Sequence, residues 1–334
     1  MPVASHERRL GAGRLVRRVH RRSSLTACQG PPRELPPRRM KPAAFAYHAA
    51  ETLEQALALK AQLGDEARWL AGGQSLLPAM NLRLARPAAL IDLNPLAALD
   101  VIAPTADGGW RIGALTRYRG IERDARIARA QPLLSEALSQ VAHPQIRNRG
   151  TLCGNLAHAD PASELPAVML ALDARLHARS AAGARWIAAA DFFRDIFTTA
   201  LAQDELLIEV ELPKLPARTG SCFLEVARRR GDFAMMGIAA VLTLDQDGIC
   251  GHASLAYCNA GATPQRPRAA AQALIGRRVG APEIDEAAAL AQQAIDPPGS
   301  VQADAGFQRH LAGVLTRRAL RRALERAAAP ETPA

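Results

Sequence analysis

The segment RNRGTLCGNLAHADPASELP, residues 147–166, decides how the rest of the chain is interpreted. Gly150 and Gly154 flank a threonine and a cysteine, and an asparagine follows directly. Its apolar residues show neither the period of a strand nor that of a helix until the apolar run 165–172 begins. Glycine, hydroxyl and amide groups side by side indicate a loop that places hydrogen-bond donors around a ligand.

A second loop of the same kind occurs earlier, at residues 71–75, with the sequence AGGQS. Glycine lets the main chain approach a ligand closely, and successive free N–H groups form a concave anion site. Two such loops that converge could hold the two phosphates of a dinucleotide without a lysine. Neither GxGxxG after a strand nor GxxxxGK[ST] is present. The residues alone therefore leave two interpretations open, an anion or nucleotide site and a pair of ordinary turns.

The basic charge of the chain is concentrated at its N-terminus. The 334 residues carry a net charge of +10, and residues 1–39 hold ten arginines against only Glu7 and Glu34. We interpret residues 1–39 as a disordered basic extension, with Met40 as the true start. A transit peptide and an RNA-binding arm are the alternatives, although no aromatic residue lies between the arginines.

Composition excludes several classes of protein. The chain is long enough for two or three domains, and 49% apolar with 22% charged residues is typical of a globular protein. The five cysteines are scattered along the chain: Cys28, Cys153, Cys222, Cys250 and Cys258. Their number is odd and none of their spacings is typical of a metal site, so we predict no metal site. Scattered cysteines are typical of a thiol-reduced cytosolic protein, so we expect a cytoplasmic location. No apolar run reaches the ~20 residues of a membrane span.

The periodicity predicts an α+β chain. Thr52 and Gly64 delimit a helix over 50–64. Strands are predicted at 69–71, 89–93, 110–118, 174–180, 184–193 and 205–213, with two helical segments over 121–142 broken at Pro132. After a boundary at 213–220, three strands over 221–261 precede helices at 267–276, 282–295 and 304–329.

Four segments together resemble a known family. The two glycine segments, DELLIEVELP at 204–213 and FLEVARRRGDFAMMGIAA at 223–240 are similar to the FAD-binding medium subunits of molybdenum hydroxylases. This family contains carbon monoxide dehydrogenase medium subunits and the FAD domain of xanthine dehydrogenase. The resemblance covers roughly residues 40–326. It implies an FAD-binding domain of the PCMH type at 40–215, with two α+β subdomains at about 40–96 and 97–215. A C-terminal domain of an antiparallel sheet with helices would follow at 219–328.

The resemblance also implies which residues bind FAD. The first loop would wrap the pyrophosphate with Leu70, Ala71, Gly72, Gly73, Gln74, Ser75, Leu76 and Leu77. The second loop would add Thr151, Leu152, Cys153, Gly154 and Asn155. Glu164 falls on the flavin side, and a main-chain contact to the isoalloxazine falls near Leu207. No side chain is expected to act as a catalytic acid or base.

Two positions depart from the family pattern. Cys153 replaces a glycine, which would cost about 1 kcal/mol if the position required a positive φ, and its thiol could be sensitive to oxidation. The lysine that xanthine dehydrogenases place near the flavin is absent from residues 223–228.

Other polar groups receive a plain interpretation. His158 and Asp160 are assigned to the cofactor loop rather than to an acid–base pair. Residues 228–232 are interpreted as a charged turn or subunit contact, and the arginines of the last helix as a solvated or partner-facing surface.

The implied function is electron transfer within a complex. The chain would carry FAD in a cytoplasmic molybdenum hydroxylase, beside a small iron–sulfur subunit and a large molybdopterin subunit, in a heterotrimer that dimerises. The large subunit would oxidise the substrate, and an external acceptor such as a quinone, NAD or oxygen would take the electrons. No nucleic acid and no membrane span are expected. The alternatives are a stand-alone FAD oxidase or dehydrogenase of the same fold and a nucleic-acid-associated protein that binds through the basic tail.

Overall fold

The computed structural model describes residues 41–329. The predicted basic extension at residues 1–39, with its three interpretations, lies outside the described residues.

The first part of the described chain is a small parallel sheet with two helices. Its elements are β1 Ala46–Ala49, α1 Leu53–Leu63, β2 Ala67–Leu70, α2 Leu76–Asn81 and β3 Ala89–Asp92. The strand order is β1-β3-β2, and both neighbours run parallel to β3. The predicted helix over 50–64 is confirmed as α1: the Thr52 hydroxyl accepts from the N–H of Gln55 at 3.1 Å, and Gly64 ends the helix with φ +59°.

The second part is built on a five-stranded antiparallel sheet. Its elements are β4 Ile102–Pro104, β5 Trp110–Gly113, α3 Tyr118–Arg123, α4 Ala125–Ala130, α5 Pro132–Leu138, α6 Pro144–Arg147, α7 Leu152–His158, α8 Glu164–Ala171, β6 Arg175–Ser180, β7 Gly183–Ala188, α9 Ala189–Phe192, β8 Phe193–Asp195, β9 Thr198–Thr199 and β10 Leu206–Leu212. The strand order in the sheet is β4-β5-β10-β6-β7. All eight residues of α8 are buried, because this helix packs both on α5 and on the C-terminal sheet.

Three predictions in this part were wrong in detail. The predicted strand 110–118 ends at Gly113, and Tyr118 already begins α3. The region 121–142 contains a further break at Asp124, whose side chain accepts from the N–H of Arg126 at 2.9 Å and so caps α4. The predicted strand 184–193 contains the short helix α9.

The third part is an antiparallel sheet covered by helices. Its elements are β11 Thr219–Ala227, β12 Ala234–Leu244, β13 Cys250–Cys258, α10 Arg268–Gln272, α11 Ala281–Ala294 and α12 Ala305–Ala328. The helix α12 packs along β11 and β12. Together the three parts confirm the α+β fold class, with an antiparallel C-terminal sheet and its helices.

The last helix also makes an internal connection that the sequence did not predict. Arg326 is exposed, as predicted for this surface, and its guanidinium also donates to Glu136 of α5 at 2.8 Å and to the main-chain oxygen of Ser221. The Glu136 carboxylate also accepts a hydrogen bond from the N–H of Phe223 at 3.0 Å. Arg318, Arg321 and Arg322 remain exposed, as expected for a surface.

Candidate functional site

The structure brings the two predicted glycine loops into direct contact. A Cβ atom on Gly72 would lie 2.4 Å from the main-chain oxygen of Arg149 and 2.9 Å from Cα of Gly150. A Cβ atom on Gly154 would lie 3.9 Å from Cβ of Ala71. Only glycine at position 72 permits this approach of one main chain to the other. The residues that form the contact are about 80 positions apart in the sequence.

The first loop, residues 70–77, presents a row of free main-chain donors. The N–H groups of Gly72, Gly73, Gln74 and Ser75 have no acceptor among residues 41–329. Gly73 has φ +71°, which turns the chain so that consecutive N–H groups can face one side. The geometry is that of a cradle for an anion.

Apolar and polar side chains hold the first loop in this shape. A Cβ atom on Gly73 would lie 3.0 Å from the Leu77 side chain and 3.2 Å from that of Leu70, so the two leucines enclose the turn. The side-chain amide of Gln74 donates to the main-chain oxygen of Gly72 at 2.9 Å. This bond occupies a carbonyl and leaves the N–H groups of the loop free. Leu76 begins α2 after Ser75, whose side chain caps no N–H group.

The predicted second loop, residues 151–155, is instead the start of helix α7. Thr151 is its N-cap, and the Thr151 hydroxyl accepts from the N–H of Gly154 at 3.2 Å. Helical periodicity does not identify this segment because the helix has only seven residues and contains glycine and asparagine. Tertiary packing on β10 stabilises it in place of intrinsic propensity.

The helix also corrects the two expectations for Cys153. Neither Cys153 nor Gly154 has a positive φ, so the cysteine causes no backbone strain. The Cys153 side chain is 2% exposed, and burial raises the pKa of its thiol above the ordinary value. A buried, protonated thiol reacts slowly with oxidants. The predicted sensitivity to oxidation therefore does not follow from the structure.

Glu164 lies next to the second loop at the start of α8. Two hydrogen bonds between Asn155 and Ser163, of 2.7 and 2.9 Å, join the loop to the residue before Glu164. Glu164 is 4% exposed, and burial raises the pKa of its carboxyl to about 8, with the negative charges of Glu225 and Asp160 acting in the same direction. Glu164 therefore keeps its proton at pH 7 and can donate a hydrogen bond.

Leu207 lies in β10 and is 2% exposed. The pairing of β10 with β6 is irregular between Leu207 and Glu209, which indicates a β-bulge at the predicted main-chain contact. Since α7 packs on β10, this bulge lies on the strand that supports the second loop.

Three nearby groups clarify the surroundings of the site. Burial lowers the pKa of His158, and its ring lies 4.9 Å from that of Phe197. The Asp160 carboxylate accepts from the N–H of Ala162 and makes no hydrogen bond to His158 in the described structure. The assignment of both residues to the cofactor loop stays a prediction.

A cavity of about 440 Å³ lies beside the turn after β11, and its lining residues are Gln140, Glu225, Ala227, Arg229 and Arg230. Burial raises the pKa of the Glu225 carboxyl to about 7. One Glu225 oxygen is buried without a hydrogen-bond partner among the described residues.

Sequence reasoning missed two residues that connect the loops, Asn94 and Arg117. The side-chain amide of Asn94 donates to the main-chain oxygen of Ala71 at 3.1 Å. The Arg117 guanidinium donates to the Asn94 side chain and to the main-chain oxygen of Arg149. A signal was available for Asn94, because it follows β3 at the carboxyl edge of the parallel sheet, where ligand sites are common. No comparable pattern singles out Arg117.

Comparison with known proteins identifies the family. Residues 43–215 match the model of the FAD binding domain in molybdopterin dehydrogenase, and residues 221–323 match that of the CO dehydrogenase flavoprotein C-terminal domain. The chain belongs to the FAD-binding medium subunits of the molybdenum hydroxylases.

Relatives with different substrates share this subunit. The chain is 41% identical to the 6-hydroxypseudooxynicotine dehydrogenase complex subunit alpha of Paenarthrobacter nicotinovorans, over 86% of this chain and 97% of that one. It is 36% identical to the carbon monoxide dehydrogenase medium chain of Afipia carboxidovorans, over 86% of this chain and 99% of that one. A solved structure of quinoline 2-oxidoreductase from Pseudomonas putida 86 superposes with a TM-score of 0.81 at 34% identity, covering 86% of this chain and 99% of that one.

The residues of the site fit FAD. Its diphosphate needs donors that approach closely, and the first loop supplies N–H groups beside a glycine that admits no Cβ. Burial, followed by the nearby charge of Arg149, lowers the pKa of the Arg117 guanidinium, and an anion between the loops would favour its charged form. The flavin-side position holds Glu164, a protonated carboxyl that can donate to a carbonyl oxygen or ring nitrogen.

Proposed function

We propose that this FAD-binding subunit receives electrons from the iron–sulfur clusters of a small partner subunit and delivers them to an external acceptor. The observation that carries the proposal is the contact between the two glycine loops, with four successive free N–H groups on one of them. Bound FAD supplies the chemistry, because it accepts electrons singly and releases them singly or in pairs. The protein contributes binding, orientation and control of protons.

The predicted site residues would divide this work among them. Residues 70–77 and 151–155 would hold the diphosphate through main-chain N–H groups. Glu164 would donate a hydrogen bond to the flavin from its protonated carboxyl, and the irregular strand at Leu207 would offer a main-chain contact. The buried side chains beneath α7, including Cys153, exclude water from the inner side of the site.

The subunit would work in a heterotrimer that dimerises, with a large molybdopterin subunit oxidising the substrate. The relatives' names support this assembly, since they are called a complex subunit and a medium chain. Leu82 and Leu84, directly after α2, are 65% and 81% exposed, which suits a surface that a partner subunit covers. None of the helices between residues 41 and 329 combines the length and apolarity needed to cross a bilayer. A cytoplasmic location remains a prediction.

The relatives carry names with unrelated substrates, which agrees with substrate oxidation in another subunit. The proposed acceptor is a quinone, NAD or oxygen.

The test is to produce the full chain alone and together with its partner subunits, and to measure visible flavin absorbance. We expect bound FAD in the wild type and its loss in Gly73→Asp and Gly154→Asp, because each adds a carboxylate and a Cβ inside the cradle. Gly183→Asp is the matched control, since a Cβ there meets no atom within 4 Å. Substrate should bleach the flavin only when the partner subunits are present. A protein that stays colourless with and without its partners would refute the proposal.

A further inference from the structure

The two glycine loops touch without a direct hydrogen bond between their main chains. No main-chain bond joins residues 70–77 to residues 149–155 in the part of the chain that the structure describes. The connection runs through side chains instead. Asn94 donates to the oxygen of Ala71 at 3.1 Å, and Arg117 donates both to the Asn94 oxygen and to the oxygen of Arg149. This path of three hydrogen bonds is called the Asn94–Arg117 bridge below.

We propose that the Asn94–Arg117 bridge sets the separation of the two loops and thereby positions the diphosphate of FAD. The inference rests on the proposed FAD site and assigns Asn94 and Arg117 as positioning residues within it. The bridge acts on the cradle because it binds the two carbonyl groups, of Ala71 and Arg149, that lie at the contact. Free carbonyl oxygens facing a diphosphate would repel it, and the bridge turns both toward donors.

The surrounding structure fixes both ends of the bridge. The N–H of Asn94 donates to the Asp92 carboxylate at 3.0 Å, and the hydroxyl of Tyr47 donates to the same carboxylate. Asn94 is therefore anchored to the parallel sheet.

At the other end, the main chain of Arg117 pairs with that of Thr151 as an isolated antiparallel bridge. On either side of it, the N–H of Tyr118 donates to the main-chain oxygen of Gly150 at 3.0 Å and the N–H of Leu152 donates to that of Thr116 at 3.4 Å. The main chain of Arg117 thus pairs with the second loop, and its side chain contacts Asn94, which binds the first loop.

The charge of the bridge also suits an anion. Arg117 is half-buried, and burial, with the nearby charge of Arg149, lowers the pKa of its guanidinium. Arg149 is exposed and makes no salt bridge with a carboxylate between residues 41 and 329. The planar guanidinium of Arg117 satisfies two acceptors at once, whereas a lysine ammonium on a flexible stem would hold one of them less well.

The test uses the full chain freed of flavin and titrated with FAD, and with ADP as a competitor that carries the same diphosphate. Arg117→Met should raise the dissociation constants of both ligands by about 10–100-fold. Arg117→Lys should recover part of this loss, because it restores the charge but not the double contact. Asn94→Ala should weaken binding in the wild type and add little to Arg117→Met, because both residues act along one path.

Arg326→Met is the matched control, since Arg326 also joins a main-chain oxygen to a side chain but makes no hydrogen bond to either loop in the described structure. It should lower the stability of the fold and leave the FAD dissociation constant within about twofold of the wild type. If Arg117→Met or Arg117→Lys folds and binds FAD and ADP as tightly as Arg326→Met, the bridge has no positioning role. Failure of the wild type to bind FAD would instead overturn the proposed function itself.

Discussion

Gly72→Ala is the substitution that tests the site most directly. The added Cβ would lie 2.4 Å from the Arg149 oxygen, whereas real Cβ contacts stay beyond 3.0 Å. The loops would therefore have to separate by at least about 0.6 Å. The added Cβ meets main-chain atoms of Arg149 and Gly150, so no side-chain rotation can relieve the clash. Overpacking of this kind costs about 1–3 kcal/mol.

The separation should appear in FAD binding as well as in stability. If the loss falls on the bound state, 1–3 kcal/mol corresponds to about a 5–150-fold weaker dissociation constant. The assay is titration of the flavin-free chain with FAD by flavin fluorescence, beside urea unfolding of the same protein.

Alanine substitutions at two other glycines serve as controls. They distinguish the effect of the close approach at position 72 from the general effect of adding a methyl group. Gly73→Ala should cost about 1 kcal/mol from its φ of +71°, while its nearest neighbours are mobile leucine side chains. Gly183→Ala meets no atom and should change neither quantity. Wild-type FAD affinity in a folded Gly72→Ala protein would show that the contact between the loops does not shape the binding site.

Three further outcomes follow from buried groups. The folded chain holds a proton on Glu164 up to about pH 8 while the unfolded chain releases it near pH 4.5, so the stability of the flavin-free chain should be full below pH 4.5 and fall as the pH rises toward 8. Glu164→Gln should remove this fall, which amounts to about 5 kcal/mol between pH 4.5 and 8, in urea unfolding at several pH values, and an unchanged pH profile would contradict it. Cys153→Gly should lower the free energy of unfolding by about 1 kcal/mol in a denaturant titration, since the residue is helical, and a gain would show strain instead. Glu136→Ala should cost about 1–3 kcal/mol in the same assay and leave FAD affinity unchanged, because the groups it leaves unpaired, the N–H of Phe223 and the guanidinium of Arg326, belong to neither loop.

The sequence was sufficient to predict an element where its periodicity is clear and where capping residues mark its ends. Thr52 and Gly64 delimited α1 because a side-chain cap and a positive φ are local properties. The same reasoning failed for α7, whose seven residues are stabilised by packing on β10 rather than by their own propensity. Glycine at position 73 has a positive φ, which is a local reason for glycine, but position 72 requires glycine for a different reason, the approach of Arg149. That reason involves a residue distant in sequence and leaves no local signal.

The site residues themselves stay a prediction from resemblance, although the structure places them together. What it adds is the means by which they meet. Asn94 follows a strand of the parallel sheet and Arg117 follows a strand of the antiparallel one, so the two loops meet only when both parts of the domain are folded and docked. A ligand that binds this docked state alone must stabilise it by mass action, and the stabilisation grows with the logarithm of its concentration. FAD then does more than occupy a preformed groove: its free energy of binding is linked to the association of the two sheets, and any weakening of the Asn94–Arg117 bridge should reduce both together.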